Sequence, residues 1–320
     1  MHFDYVMALG AFLVAVMIGL TGMGGGALMT PMLVTFFGVS PMAAVSSDLV
    51  AAAVMKPVGS AVHYRHGTIN MKLVAWLCVG SVPAAFCGVL VAKALGSGDG
   101  VQHVIEKAMG VALLIAAAGL AVRIYHSMAD RAARRAGAPG KAADGDDGPP
   151  QIRVRPLPTA VVGAVGGLVV GITSVGSGSL IIVALLALYP AIKANQLVGT
   201  DLLQAVPLVI SAAIGHLLFG DFRLEVTTAL LAGSIPGVYL GSRISSRAPG
   251  GLIRNLLAVV LLATALKMFG LGPAAMTWTI VLTVAAASAA AVMVHRRHGA
   301  SVLSRTPVTQ EPEVAERSVA

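Results

Sequence analysis

Two aspartates and a lysine interrupt segments of this chain that are otherwise built largely from Ala, Val, Leu, Ile and Met. Asp48 follows Ser46-Ser47, Asp201 follows Gly199-Thr200, and Lys56 stands within DLVAAAVMKPVGSAV. An ionisable side chain at membrane depth is a functional hypothesis by default. The aspartates suit a proton or ion site, and a second reading makes them helix N-caps, for which Ser, Thr and Asp are preferred. Lys56 suits an anion, and a second reading sends its ammonium group to a membrane interface. Pro57 biases the residue before it away from helical geometry, so a kink is expected there. His63 and His216 precede Gly67 and Gly220, where an imidazole could carry a proton or cap a helix end. His63 and His66 have no carboxylate or cysteine beside them, so no metal, haem or other cofactor is expected.

Two clusters of small residues complete the chemistry. Thr21, Gly22, Gly24, Gly25 and Gly26 fall in TGMGGGALMTP; Thr173, Ser174, Ser177, Gly178 and Ser179 fall in TSVGSGS. Three glycines in a row are a poor way to build a membrane helix. Irregular backbone persists in a bilayer only where protein or a water-filled cavity satisfies it, so the break predicts a pocket. Breaking a helix exposes the N-terminal amides of the part that follows, which favour anions. Paired discontinuous helices are the best sequence pointer to a transporter's substrate site. The competing reading is close helix packing through small residues.

The elements that must position these residues are membrane helices. The chain has 320 residues, 57% hydrophobic and 11% charged, against about 25% charged in soluble domains. Apolar stretches long enough to span a bilayer recur throughout, which excludes a single soluble core. The opening MHFDYVMALGAF lacks a basic region and a small-residue cleavage site, so it is read as mature structure. Cys78 and Cys87 would lie about 13 Å apart along one helix, too far for a mutual disulfide. The net charge of +8 concentrates around residues 126–156 and in the tail; basic segments beside membrane helices set topology, and nucleic acid is not an expected partner.

The chain also repeats itself. GLTGMGGGAL (19–28) aligns with GITSVGSGSL (171–180), and SSDL (46–49) with GTDL (199–202) after one residue of slippage. The register continues through His63/His216, Gly80/Gly233, Ser81/Ser234, Pro83/Pro236 and Gly88/Gly241. These matches are mostly Gly, Pro, Asp and His, which a chance alignment of apolar stretches would not supply. The expected fold is an all-α polytopic membrane protein with two homologous repeats, each with a Gly-broken first helix, and one additional C-terminal helix. The expected organisation is a first membrane repeat over 1–125, a disordered linker over 126–157, a second repeat over 158–270, a further transmembrane helix over 271–295 and a disordered tail over 296–320.

The apolar segments are 6–37, 46–64, 71–95 and 101–125, then 158–189, 197–219, 225–245 and 251–270, with 274–294 unduplicated. As one helix the first would reach ~48 Å, against a hydrocarbon core near 30 Å. Folding it back as a hairpin makes the repeats inverted. It also gathers Arg65, Lys72, the linker, Lys193, Arg243, Arg247, Arg254 and the tail on one face, whereas single crossings divide the basic residues almost evenly. The positive-inside rule then places the N-terminus outside, and the linker and C-terminus in the cytoplasm.

These residues resemble the sulfite exporter TauE/SafE family of membrane permeases. The resemblance is carried by GLTGMGGGALMTPML (19–33), by SSDLVAAAVMKPVGSAVHYRHGTINMKL (46–73) with its second copy GTDLLQAVPLVISAAIGHLLFGDFRLEV (199–226), and by GSVPAAFCG (80–88) with GSIPGVYLG (233–241). It covers about residues 6–125 and 158–270. It implies a multi-pass transporter of the inner (plasma) membrane that exports small sulfur-containing or organic anions such as sulfite and organosulfonates. Two departures stand out: the second glycine cluster is thinned to SVGSGS with Val183 opposite Pro31, and Lys56, aligned with Val209, maps to no family motif.

The residues and the resemblance meet at a secondary permease. No nucleotide-binding motif is present, so ion or substrate gradients would drive it. The expected partners are a small anion and membrane lipid, with the oligomeric state open to a homo-oligomer. Thr21, Gly22, Gly24, Gly25, Gly26, Lys56, Thr173, Ser174, Ser177, Gly178 and Ser179 are the candidate substrate residues; Asp48, Asp201, His63 and His216 are candidates for proton or ion coupling. An uncoupled anion channel shares most of these features. A non-transporting membrane scaffold or assembly factor would use the glycines for packing alone. An intramembrane enzyme using Cys78 or Cys87 lacks any activating partner motif, so no enzymatic activity is expected.

Overall fold

A computed structural model describes residues 4–21, 25–65, 69–96, 98–135, 154–176, 178, 180–189, 192, 194–245, 250–272, 274–275, 277–279 and 281–283. Among them the chain is all-helical. Ten helices run α1 (Tyr5–Thr21), α2 (Gly26–Phe37), α3 (Pro41–Arg65), α4 (Met71–Ala94), α5 (Asp99–Arg135), α6 (Pro156–Thr173), α7 (Leu180–Leu188), α8 (Ala194–Phe219), α9 (Leu224–Ser245) and α10 (Gly250–Met268). Further helical residues occur at 274–275, 277–279 and 281–283.

Local chemistry sets several of these limits. Asp4 Oδ1 accepts from the Val6 and Met7 amides at the start of α1. Asn70 caps α4 by accepting from the Leu73 amide at 3.2 Å. Pro156 opens α6, where a missing amide proton costs nothing. Gly38 ends α2 in the left-handed region at φ 61°, its amide returning to the Leu33 carbonyl.

Both overlong apolar segments are broken where expected. α1 and α2 are separated between Thr21 and Gly26, and α6 and α7 between Thr173 and Leu180. The parts after the breaks, α2 with 12 residues and α7 with 9, would extend only about 18 and 14 Å at 1.5 Å per residue. Neither alone crosses a ~30 Å hydrocarbon core. Among the described residues, five helical stretches are long and apolar enough to do so: Met71–Ala94, Gly100–Val122, Pro156–Thr173, Gly199–Phe219 and Leu224–Gly241.

By packing, the chain divides into two units. The first comprises Met1–Ile124 with Gly148–Val281, and the second Tyr125–Asp147 with Leu282–Ala320. In the second, the described residues are the end of α5 and 282–283. The helix continues through Arg135, so the disordered linker expected from residue 126 does not begin there. One face of α5, with Leu113, Ala116 and Leu120, is buried, and a helix once nucleated extends cheaply from such an anchor. The rest of the linker before 154 and the expected tail over 296–320 lie outside the described residues, as does most of the last expected helix.

In the first unit α4 packs along α6, α1 along α9, and α3 against α8. The contacts come in matching pairs. Gly80 and Gly88 of α4 sit against the Ala160 and Leu168 carbonyls of α6; Gly233 and Gly241 of α9 sit against the Ala8 and Val16 carbonyls of α1. A side chain at any of the four would meet backbone, so these glycines serve close helix approach. One apolar core joins Leu49, Leu77, Leu113, Val170, Leu185 and Leu257, and another joins Ala11, Met29, Leu33 and Leu230. Large apolar side chains such as Leu9, Leu13, Val79, Val165 and Leu218 face outward, while Asp48, Asp201, Gln204 and His216 are buried. That arrangement reverses the ordinary soluble pattern and suits lipid as the surrounding solvent.

Candidate functional site

The two helix breaks meet. Gly26, the first residue of α2, lies so close to Ser174 that a Cβ there would run into the Ser174 carbonyl. Ser174 follows the last residue of α6 and carries φ 59°; it is the one non-glycine residue with positive φ among those described. Such a backbone costs on the order of 1–2 kcal/mol. Its amide bonds to the Val170 carbonyl at 2.8 Å, satisfying one of the orphan acceptors at the end of α6. Thr173 is buried and stays local: its Oγ1 donates to the Val169 carbonyl at 2.7 Å and accepts from the Val175 amide at 3.1 Å.

Asp48 ties the breaks together. Its Oδ2 accepts from Thr30 Oγ1 at 2.7 Å and from Ser174 Oγ at 2.6 Å. Thr30 lies on α2, one turn beyond Gly26, so the carboxyl group bridges α3, α2 and the end of α6. Its Oδ1 is buried without a hydrogen-bond partner among the described residues. The N-cap reading of the aspartates is therefore corrected. Asp48 lies seven residues past the start of α3 at Pro41, and Asp201 seven past the start of α8 at Ala194. α3 begins earlier than the SSDL motif suggests because Pro41 suits a first helical position.

Asp201 and Lys56 are also buried. Lys56 interacts electrostatically with both Asp201 and Asp48. α3 remains helical across Pro57, so the residue after Lys56 does not end the helix. His216, in the last turn of α8, is fully buried. Its Nε2 lies 2.8 Å from the Gly171 carbonyl and its Nδ1 2.8 Å from Ser46 Oγ. A carbonyl only accepts, so Nε2 carries a proton. Ser46 Oγ is also 2.8 Å from the Met42 carbonyl. A neutral ring takes the serine proton at Nδ1, whereas a charged ring donates to Ser46 and frees the serine proton for Met42. His216 thus reaches from α8 to the α6 end that precedes the break.

Gly25 and Gly26 are buried at the start of α2, and Gly178 is buried in the second break, its amide 2.8 Å from the Gly176 carbonyl. Gly22, Gly24, Ser177 and Ser179 lie outside the described residues; for Thr21 and His63 only the backbone, at the ends of α1 and α3, is described. The structure therefore brings together Gly26, Ser174 and Asp48, and links Lys56 to both aspartates. Sequence reasoning did not single out Thr30, Ser46, Ser81 or Gln204. Gln204 Nε2 donates to Ser81 Oγ at 2.7 Å, joining α8 to α4. The available signal was spacing: Thr30 is four residues after Gly26, and Ser46 opens the motif that contains Asp48.

A family model described as sulfite exporter TauE/SafE matches residues 7–268. The chain belongs to the TauE/SafE family. It is 36% identical over 269 residues to the "Probable membrane transporter protein YjnA" of Bacillus subtilis (strain 168), covering 82% of this chain and 98% of that relative. It is 22% identical over 250 residues to the "Probable membrane transporter protein YdhB" of the same organism, covering 76% of this chain and 91% of the relative. No solved structure matches. With its apolar helices, this TauE/SafE member is a multi-pass membrane protein of a transporter family.

Proposed function

We propose that this TauE/SafE member is a secondary permease that exports small sulfur-containing or organic anions, sulfite and organosulfonates among them. The observation that carries the reading is the meeting of two helix breaks at Gly26 and Ser174, bridged by a buried carboxyl group. The substrate lies between the breaks. The first turn of α2 presents amides to it, beside Gly26 and Ser174. Lys56 supplies positive charge beside the site. Asp48, Asp201, His216 and His63 are the groups available for ion coupling.

The chain is a duplication of two inverted repeats, and transport proceeds by movement of one repeat against the other. The paired contacts of α4 with α6 and of α9 with α1 support this, because Ala8 and Val16 align with Ala160 and Leu168 as Gly233 and Gly241 align with Gly80 and Gly88. The protein sits in the inner (plasma) membrane with its linker and C-terminus in the cytoplasm, as the distribution of Lys and Arg favours.

The test is flux in proteoliposomes with radiolabelled sulfite, sulfoacetate, taurine and simple carboxylates, for the wild type and Lys56→Met. Saturable uptake and exchange of one anion class, reduced at least tenfold in the variant, is expected. Linear, non-saturating flux would make it a channel. Silence across the labelled panel would remove the permease reading.

A further inference from the structure

We infer that Asp48 is the proton-binding residue of this site, and that an anion occupies the breaks together with a proton on Asp48. The inference rests on the permease reading and adds its coupling ion. It starts from how the carboxyl group is partnered. Both hydroxyl donors, Thr30 Oγ1 and Ser174 Oγ, converge on Oδ2, while the buried Oδ1 receives nothing from the described residues. An ionised carboxylate has two equivalent acceptor oxygens and wants donors at both. A protonated carboxyl group has one carbonyl oxygen that accepts twice and one hydroxyl that donates. The geometry matches the second form, with Oδ2 as the carbonyl and Oδ1 as a hydroxyl that lacks an acceptor. An oxyanion at the start of α2 is such an acceptor.

Charge balance points the same way. The titratable groups around Asp48 are Lys56 on its own helix and Asp201 and His216 on α8. Neither α2 nor α6 contains a titratable side chain, and those of α9 (Glu225, Tyr239 and Arg243) are exposed. Lys56 is the one described cation near Asp48, and its charge acts on both Asp201 and Asp48. With Asp48 ionised, an incoming anion would meet a second negative charge that no other described cation offsets. With Asp48 protonated, the anion meets the Oδ1 hydroxyl, the Ser174 and Thr30 side chains behind it, and the amide end of α2. Binding of anion and proton is therefore mutually favourable, and by linkage each raises the affinity for the other. Protonated Asp48 keeps its hydroxyl partners and so does not disturb the contact between the breaks.

Two measurements on the purified full-length protein test this, with sulfoacetate as the probe because it stays fully ionised over the range used. The first is the equilibrium dissociation constant between about pH 6 and 8. For one obligatory proton, affinity should fall by up to about tenfold per pH unit once pH exceeds the carboxyl group's midpoint, and the slope should vanish in Asp48→Asn, which holds a neutral donor at all pH values. The second needs no variant: at a pH above that midpoint, where the free carboxyl group is mostly ionised, adding sulfoacetate to wild-type protein in weak buffer should take up close to one proton per anion bound. Binding without proton uptake, a flat wild-type profile, or a slope that survives in Asp48→Asn would each overturn the assignment while leaving the permease intact. Absence of sulfoacetate binding at every pH would overturn the sulfonate reading and, with it, this proposal.

Discussion

Asp48 and Asp201 hold the same place on α3 and α8, both buried, yet their surroundings differ in kind. Asp48 is held by two hydroxyl groups, Thr30 on α2 and Ser174 at the end of α6. Asp201 shares the charge of Lys56 with Asp48. The alignment of the two halves shows why: Thr30 and Ser174 correspond to Ile182 and Gly22, neither of which offers a hydroxyl, and Lys56 corresponds to Val209. Hydroxyl donors serve a carboxyl group in either protonation state, whereas a buried ammonium needs its carboxylate charged. On the proposed reading Asp48 is the carboxyl group that exchanges a proton, while Asp201 stands with Lys56.

The largest effects should come from breaking the charged side of this comparison. Lys56→Met or Asp201→Asn alone leaves a buried charge without its partner and should cost about 3–5 kcal/mol, read as thermal stability in detergent. The double variant should be far less damaged than the sum. Additive losses would mean the two residues do not form a pair.

Smaller effects are expected on the hydroxyl side. Thr30→Val and Ser174→Ala each remove one donor to Asp48 and should cost about 1–3 kcal/mol. Ser174→Gly removes the same hydroxyl but relieves the positive φ, so it should be milder than Ser174→Ala by about 1 kcal/mol. Equal losses in the two Ser174 variants would show that the backbone there is not strained.

The smallest effects lie at the aligned serines Ser81 and Ser234. Ser81 accepts from Gln204, while Ser234 Oγ is buried without a partner among the described residues. Ser81→Ala should cost about 1–2 kcal/mol by orphaning the Gln204 amide. Ser234→Ala should change stability by under about 0.5 kcal/mol or improve it. Matching losses would show that Ser234 has an unseen partner of equal weight.

Much of this was legible in the chain. The breaks lie at the glycine clusters because three glycines and an overlong apolar run leave few alternatives in a bilayer, and α4, α8 and α9 begin and end within a few residues of the apolar segments. The positional matches Asp48/Asp201 and Gly80/Gly233 marked residues that do occupy related places. The environment of each aspartate was not legible. SSDL has the composition of a cap, and only the earlier helix start at Pro41 turns Asp48 into an interior residue. Thr30 looks like an unremarkable residue before Pro31 until α2 is laid against α3. The reach of His216 to Gly171, 45 residues away, depends on the packing of α8 over the break and has no local signature.

A substrate bound where the breaks meet should protect a single cysteine placed there. Cys78 and Cys87 would be replaced by serine, Ser174→Cys introduced, and its modification by a small methanethiosulfonate reagent timed in proteoliposomes with and without saturating sulfoacetate. Labelling should slow by about tenfold or more with the anion and stay unchanged with choline. Undiminished labelling under conditions of saturating sulfoacetate flux would contradict binding there, and would move the transport path away from Gly26, Ser174 and Asp48.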